Sequence, residues 1–194
     1  MKIESIISSS LIFSCIFFSL VLTKANSQEQ TERKPVMKSL IVYYSFSGNT
    51  KKVAEVLNEY LKQKGEVDLV ELKAMDESKN FFVQANRAFT KKRASLSPVE
   101  FDLKKYNLVC FGSPIWAFAP TPAMNTYMDK CVGLEGKDII IFSTYGSGTG
   151  NTKCLDYMQK ILIAKGGKNF KRFSVQQGKV KDKDFVLSEI KRIF

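Results

Sequence analysis

Histidine is absent from these 194 residues. That removes the commonest general base and metal ligand, and with it any Ser-His-Asp or Cys-His mechanism built within the chain. Cysteine is scarce: Cys15 lies in an apolar leader, and Cys110, Cys131 and Cys154 lie in the remainder. No two form a C-x-x-C pair, and the odd count after the leader argues against a disulfide framework. Each reads as a small, buried apolar residue. Carboxylates are scattered, so no metal-ligand cluster stands out. Acidic residues are outnumbered 19 to 30 by Lys and Arg, a net charge of +11. Neither a G-x-x-x-x-G-K-[ST] nor a G-x-G-x-x-G run is present, which excludes the P-loop and leaves the dinucleotide turn unsupported. No nucleic-acid motif accompanies the positive charge.

The first 36 residues differ from the rest. Leu11–Leu22 is a 12-residue apolar run, and no charge lies between Glu4 and Lys24. A polar stretch follows, with Ala25 and Ser27 as small residues near a possible cut. Residues 1–27 read as a secretory signal peptide. The alternative is a retained membrane anchor, because the uncharged stretch Ser5–Thr23 approaches spanning length. A third reading starts translation at Met37, which would leave the protein cytoplasmic. Residues 28–37 read as a linker and 38–194 as one domain of ordinary core-forming composition. The leader holds four basic and three acidic residues, leaving 26 and 16 elsewhere, so the domain carries +10. A basic surface favours anionic partners; the bland alternative is a solvated lysine-rich face.

From residue 39 on, strand-like and helix-like segments alternate. Apolar strands are expected at 39–44, 67–72, 108–111, 138–143 and 170–175. Helices are expected at 50–64, 76–93, 122–131, 151–165 and 182–194, the first stopped by Gly65 and the fourth by Gly166-Gly167. Continuously apolar strands between helices mean a parallel sheet covered on both faces, a doubly wound α/β domain. Ligands of such folds sit at the carboxyl ends of the strands, so the turns after the strands carry the function.

The turn after the first strand is Ser45-Phe46-Ser47-Gly48-Asn49-Thr50. A hydroxyl-rich, glycine-containing turn that opens a helix offers free backbone N–H groups and a positive dipole end to a phosphomonoester. The alternative is a serine-rich helix cap. After the third strand come Gly112-Ser113-Pro114-Ile115-Trp116-Ala117-Phe118, with the only tryptophan of the chain in a proline-stiffened loop. Aromatics there either stack on a flat ligand or cover the next helix. After the fourth strand come Thr144-Tyr145-Gly146-Ser147-Gly148-Thr149-Gly150, whose alternating glycines permit close backbone approach to a ligand or simply make a flexible turn.

These three segments, in this order, resemble the cofactor loops of the flavodoxin-like superfamily, over about residues 38–194. The first resembles the family's phosphate loop, [ST]-x-[ST]-G-x-[ST]. The second resembles its G-[ST]-P-[IV]-W/Y loop, and the third its last flavin loop. The chain lacks the insertion that splits the fifth strand in larger members and so resembles the short-chain type. The resemblance implies strand order 2-1-3-4-5 and non-covalent FMN. It implies that Ser45, Phe46, Ser47, Gly48, Asn49 and Thr50 surround the phosphate. It implies that Trp116 and Tyr145 flank the ring. Ser113, Pro114, Ile115, Ala117, Phe118, Thr144, Gly146, Ser147 and Gly148 complete the expected site. A receiver domain shares the sheet order but needs an acidic cluster after the first strand, where Tyr44-Ser45 stands. The implied function is an FMN-dependent oxidoreductase taking electrons from NAD(P)H to a quinone or other small acceptor. The alternatives are a one-electron carrier meeting an acidic redox protein, and a flavodoxin-like module that binds an anionic partner without redox chemistry.

Overall fold

The computed structural model describes residues 37–194, apart from Lys79; the leader readings lie outside the described residues. Five strands pair in parallel in the order β2-β1-β3-β4-β5. They are β1 (Met37–Tyr43), β2 (Gly65–Glu71), β3 (Leu108–Pro114), β4 (Asp138–Tyr145) and β5 (Lys168–Gln176). The helices are α1 (Asn49–Lys62), α2 (Phe81–Phe89), α3 (Pro122–Lys130), α4 (Asn151–Ala164) and α5 (Lys183–Lys191). This is the expected doubly wound α/β architecture.

Alternate residues of each strand point to opposite faces, and the core is accordingly double. Leu40, Val42, Val109, Phe111, Ile139 and Ile141 face Met124, Tyr127 and Met128 of α3 and Leu155, Met158 and Leu162 of α4. Ile41, Tyr43, Cys110, Ile140 and Phe142 face Val53, Leu57 and Leu61 of α1 and Val186 and Ile190 of α5. The helix starts are chemically marked. Asn80, Thr121 and Asp182 cap α2, α3 and α5 by accepting from Phe82, Met124 and Phe185 backbone N–H groups. Pro122 stands at the first turn of α3, where a missing N–H costs nothing.

Element ends shift by up to a few residues throughout, and three of the differences bear on the site. The second helix is expected over residues 76–93 but occupies only Phe81–Phe89. Asn80 takes the cap, Asp76 turns back to hold Arg87 and the Ser95 N–H, and Lys91 adopts a left-handed φ of 53°. Secondly, β3 runs on to Pro114, and thirdly β4 runs on to Tyr145. Ser113, Pro114, Thr144 and Tyr145 are therefore strand ends rather than free loop. Gly112 is required where it stands, because an added Cβ would run into the ring of Phe142. Among the described residues no helix is long and apolar enough to cross a membrane.

The interior sets a pH dependence. Burial, above all, pushes up the phenols of Tyr43, Tyr44, Tyr106 and Tyr127 and the thiol of Cys110. It also lifts Cys131 to about 11 and Cys154 to about 12. The fold favours the neutral forms, so the unfolded chain gives up these protons first. Their stabilisation is complete below about pH 8.5, the unperturbed thiol value, and is lost as pH climbs through the raised values. Urea denaturation followed by circular dichroism should show a midpoint that falls progressively above about pH 9. A flat or rising midpoint would contradict this.

Candidate functional site

The three turns singled out in the sequence meet at the carboxyl edge of the sheet, where β1, β3 and β4 lie side by side. Tyr43 is level with Gly112, and Pro114 with Thr144. Backbone bonds stitch them: Tyr44 N–H donates to Gly112 O at 3.0 Å, and Ile115 N–H to Thr144 O at 2.9 Å. The buried hydroxyls of Thr50 and Thr144 are 2.8 Å apart and share a hydrogen bond that joins the start of α1 to the end of β4. The Phe118 ring lies on Gly150, where a Cβ would run into it, joining the second turn to the third.

The first turn leaves a run of donors free. Gly48 caps α1 with φ 81° and no side-chain bond, and a Cβ there would meet nothing within 4 Å. The backbone N–H groups of Ser47, Gly48, Asn49 and Thr50 have no acceptor among the described residues. The Ser45 hydroxyl accepts from Lys51 N–H at 3.2 Å, which leaves its own proton to donate. The first turns of α1 and α4 contain no acidic residue and carry Lys51, Lys52 and Lys153, all exposed. A helix start on its own prefers carboxylates. Cations at two such starts suit a site whose guest brings the negative charge.

The second turn is strained. Trp116 and Ala119 exchange both backbone bonds, at 2.9 and 3.0 Å, around Ala117 and Phe118. Those two residues have φ of 46° and 67°, so this is a type I′ turn without glycine or asparagine. Left-handed backbone at non-glycine residues stores energy where the surroundings hold it. Here the holding contacts are Phe118 on Gly150 and the Trp116 ring inside. Ser113 is fully buried and bonds Thr121 N–H at 3.1 Å, so it closes the base of the loop rather than facing outward.

Trp116 is not the bare ring that the sequence suggests. It is 5% exposed, with Tyr44, Phe46 and Phe81 edge-on at centroid distances of 5.7, 5.5 and 5.8 Å. Of the aromatics expected in the site, the accessible ones are Phe46, Phe118 and the half-buried Tyr145. Tyr145 packs beside Gly148, and the Gln176 side chain donates to Gly146 O at 3.3 Å. Gly146, Ser147 and Gly148 are exposed.

Three neighbours escape the sequence reading: Tyr44, Glu77 and Phe81. The segment after β2 returns to the same edge, where Tyr44 OH donates to Glu77 and Phe81 covers Trp116. Burial, then the bond to Glu77 and its charge, pushes the Tyr44 phenol far above its ordinary value, so it stays a donor. No motif marks these residues. The signal was topological, since a segment leaving the end of β2 must start beside β1. Glu77 also walls a depression of about 360 Å³ with Ser45, Phe46 and Ser78. Its carboxylate gives that side of the turn a negative charge, while the amide side carries only donors. Among the described residues no cluster of metal ligands is present, and the three thiols are free and buried.

The strained turn can be tested directly. Ala117→Gly removes a left-handed strain of about 1–2 kcal/mol and adds back about 0.5–1 kcal/mol of unfolded-chain entropy. Urea denaturation should show an unchanged or slightly raised stability. A loss above about 1 kcal/mol would contradict the assignment of strain.

Comparison with known proteins follows this geometry. A flavodoxin profile matches residues 38–185. No curated protein matches the sequence. Similar solved structures include a flavoprotein in complex with FMN from Lactobacillus acidophilus NCFM. It is 22% identical, with 76% of this chain and 99% of that one covered and a TM-score of 0.55. A protein from Bacteroides uniformis ATCC 8492, inferred to be a flavoprotein, gives 21%, 80%, 99% and 0.64 in the same order. The apo form of an NADH:FMN oxidoreductase gives 14%, 80%, 87% and 0.55. At these identities the likeness is one of fold, while the profile spans most of the chain. With its parallel sheet, its helix-opening turn of free donors and this match, the chain belongs to the flavodoxin family.

Proposed function

We propose that the protein holds FMN at this edge and serves as an oxidoreductase that passes electrons from NAD(P)H to a quinone or other small acceptor. The observation that carries the cofactor assignment is the helix-opening turn Ser45–Thr50. Its donors are neutral, converge from backbone and hydroxyl, and have no protein acceptor at Ser47–Thr50 among the described residues. A phosphomonoester fits such a set. When Thr144 donates in the pair, Thr50 keeps its own O–H for the phosphate. The strained turn leaves the Ala117 and Phe118 N–H groups without an acceptor among the described residues, available to polar atoms along a ring edge. Phe46, Phe118 and Tyr145 offer flat apolar contact; Trp116 can join them only where Phe46 or Phe81 moves aside.

Bound here, FMN supplies electron transfer in one- or two-electron steps, and the protein contributes position and electrostatics. No side chain of the site offers a histidine-like acid or base. What this chain adds is a positive field. Exposed Lys52 and Lys153 stand at the first turns of α1 and α4 without an ion pair among the described residues. Such a field draws anionic nicotinamide dinucleotides toward the edge and opposes docking on basic protein surfaces.

Two outcomes are expected. FMN binds far more tightly than riboflavin, because each charge-assisted bond to phosphate is worth roughly 1.5–3 kcal/mol. Ser47→Ala combined with Thr50→Ala weakens FMN by one or more orders of magnitude and leaves riboflavin nearly unchanged. Fluorescence titration reads both, and equal affinities in the unaltered protein would overturn the phosphate assignment.

The second outcome concerns the donor. Anaerobic stopped-flow mixing of the FMN-loaded protein with NADH or NADPH should remove the flavin's visible band directly. The rate should drop at high salt, because exposed charges are screened over roughly 8–10 Å at physiological ionic strength. Reduction only through a partner reductase would replace this reading with that of a one-electron carrier.

A further inference from the structure

We infer that the outward face of α2 docks on an anionic lipid surface. This goes beyond the proposed reaction and does not depend on it. The helix is inside out by ordinary standards. Its buried residues are Gln84 and Ala88, whereas Phe82 is 82% exposed, Phe89 65%, Phe81 48% and Val83 46%. Phe82 and Phe89, seven residues apart, share one face. Met75, just before the helix, is 66% exposed. A nine-residue helix is marginal alone and usually gains stability by burying its apolar stripe. Here the stripe faces solvent, and an exposed apolar patch of this kind marks an interaction surface.

Charge selects the occupant. Of the segment's carboxylates, Asp76 pairs with Arg87 at 2.5 Å, while Glu77 accepts from the neutral Tyr44 phenol and keeps its charge, one against the lysines that follow. Arg93 pairs with Asp129. Lys73, Lys91 and Lys92 remain exposed without an ion pair among the described residues, and the domain carries +10. An apolar, aromatic stripe bordered by exposed lysines in net excess, Lys91 among them with its ammonium over the Tyr157 ring, suits the boundary between headgroups and acyl chains of an anionic bilayer. A second copy of the chain would oppose lysine to lysine across the same patch. Of the three readings of the leader, a retained anchor over the uncharged stretch Ser5–Thr23 would hold the domain at a membrane, whereas a cleaved signal or a start at Met37 would not. Phe81 touches both Trp116 and Phe46, so an α2 at the bilayer puts the candidate cofactor edge beside the lipid. That is where a lipid-soluble acceptor resides.

Residues 37–194 are suitable for the test, because similar solved chains consist of this unit to 99% of their length. Sedimentation with vesicles of phosphatidylcholine alone and of phosphatidylcholine with phosphatidylserine is the experiment. Binding is expected to the anionic vesicles, to weaken in high salt, and to be nearly absent with the neutral ones. Lys91→Gln and Lys92→Gln should each weaken it about fivefold, and Phe82→Ser with Phe89→Ser at least about tenfold. Both phenylalanines are exposed, so an unchanged circular dichroism melt checks that the fold survives. If the double variant does not fold, Phe82→Trp supplies the readout: its emission should shift to the blue on anionic vesicles and be quenched by brominated acyl chains. Three results would overturn the inference. They are no binding to anionic vesicles, equal binding by the folded serine variant, and a dimer in ultracentrifugation that the serine variant dissolves.

Discussion

Parallel pairing in register is the constraint on which the rest depends. Because β1, β3 and β4 run the same way and end within a few residues of one another, three turns distant in sequence emerge along one edge. Parallel ladders require long crossovers, and those crossovers are the helices whose starts the turns become. The double core holds the register, since a slip of one residue would exchange the side chains fitted to the two helix layers. The edge is then tied by a few short bonds, Tyr44 to Gly112, Ile115 to Thr144 and Thr50 to Thr144. The cradle is therefore largely assembled by the fold itself.

Electrostatics complements the geometry. The donors of the first turn carry no formal charge, yet two adjacent helix starts hold lysines where acids would be at home. Those starts lack the acidic residues that would complement them, within a sequence that is basic overall. Beside α2, likewise, Asp76 is paired with Arg87, and Glu77 is turned onto the Tyr44 phenol. Charge and exposed aromatics thus coincide on the side of the molecule where Phe81 meets Trp116.

Much of this was legible in the sequence. Unbroken apolar strands such as Leu40–Tyr44 and Val109–Phe111 announced a sheet covered on both sides, and Gly48 announced the helix-opening turn. The alternating glycines after Ser143 announced the third. Other features had no local signal. Phe81, Phe82, Ala85 and Phe89 recur at helical spacing, which reads as a helix over residues 76–93. Only the tertiary arrangement, with Asn80 as cap and Arg87 tied to Asp76, shortens it and turns its aromatics outward. Trp116 looked exposed because its loop is short and polar at its start; its cover comes from Phe46 and Phe81, on other segments. The left-handed pair Ala117-Phe118 contradicts turn propensity and follows from the packing of Phe118 on Gly150.

The central claim is that this edge is an FMN seat formed by the fold. Its most direct test is the visible absorption spectrum of the protein purified from its expressing cell and again after incubation with FMN and gel filtration. The account predicts a yellow protein with the flavin band and, on denaturation, release of one FMN per chain. A folded protein that stays colourless through both steps would contradict it.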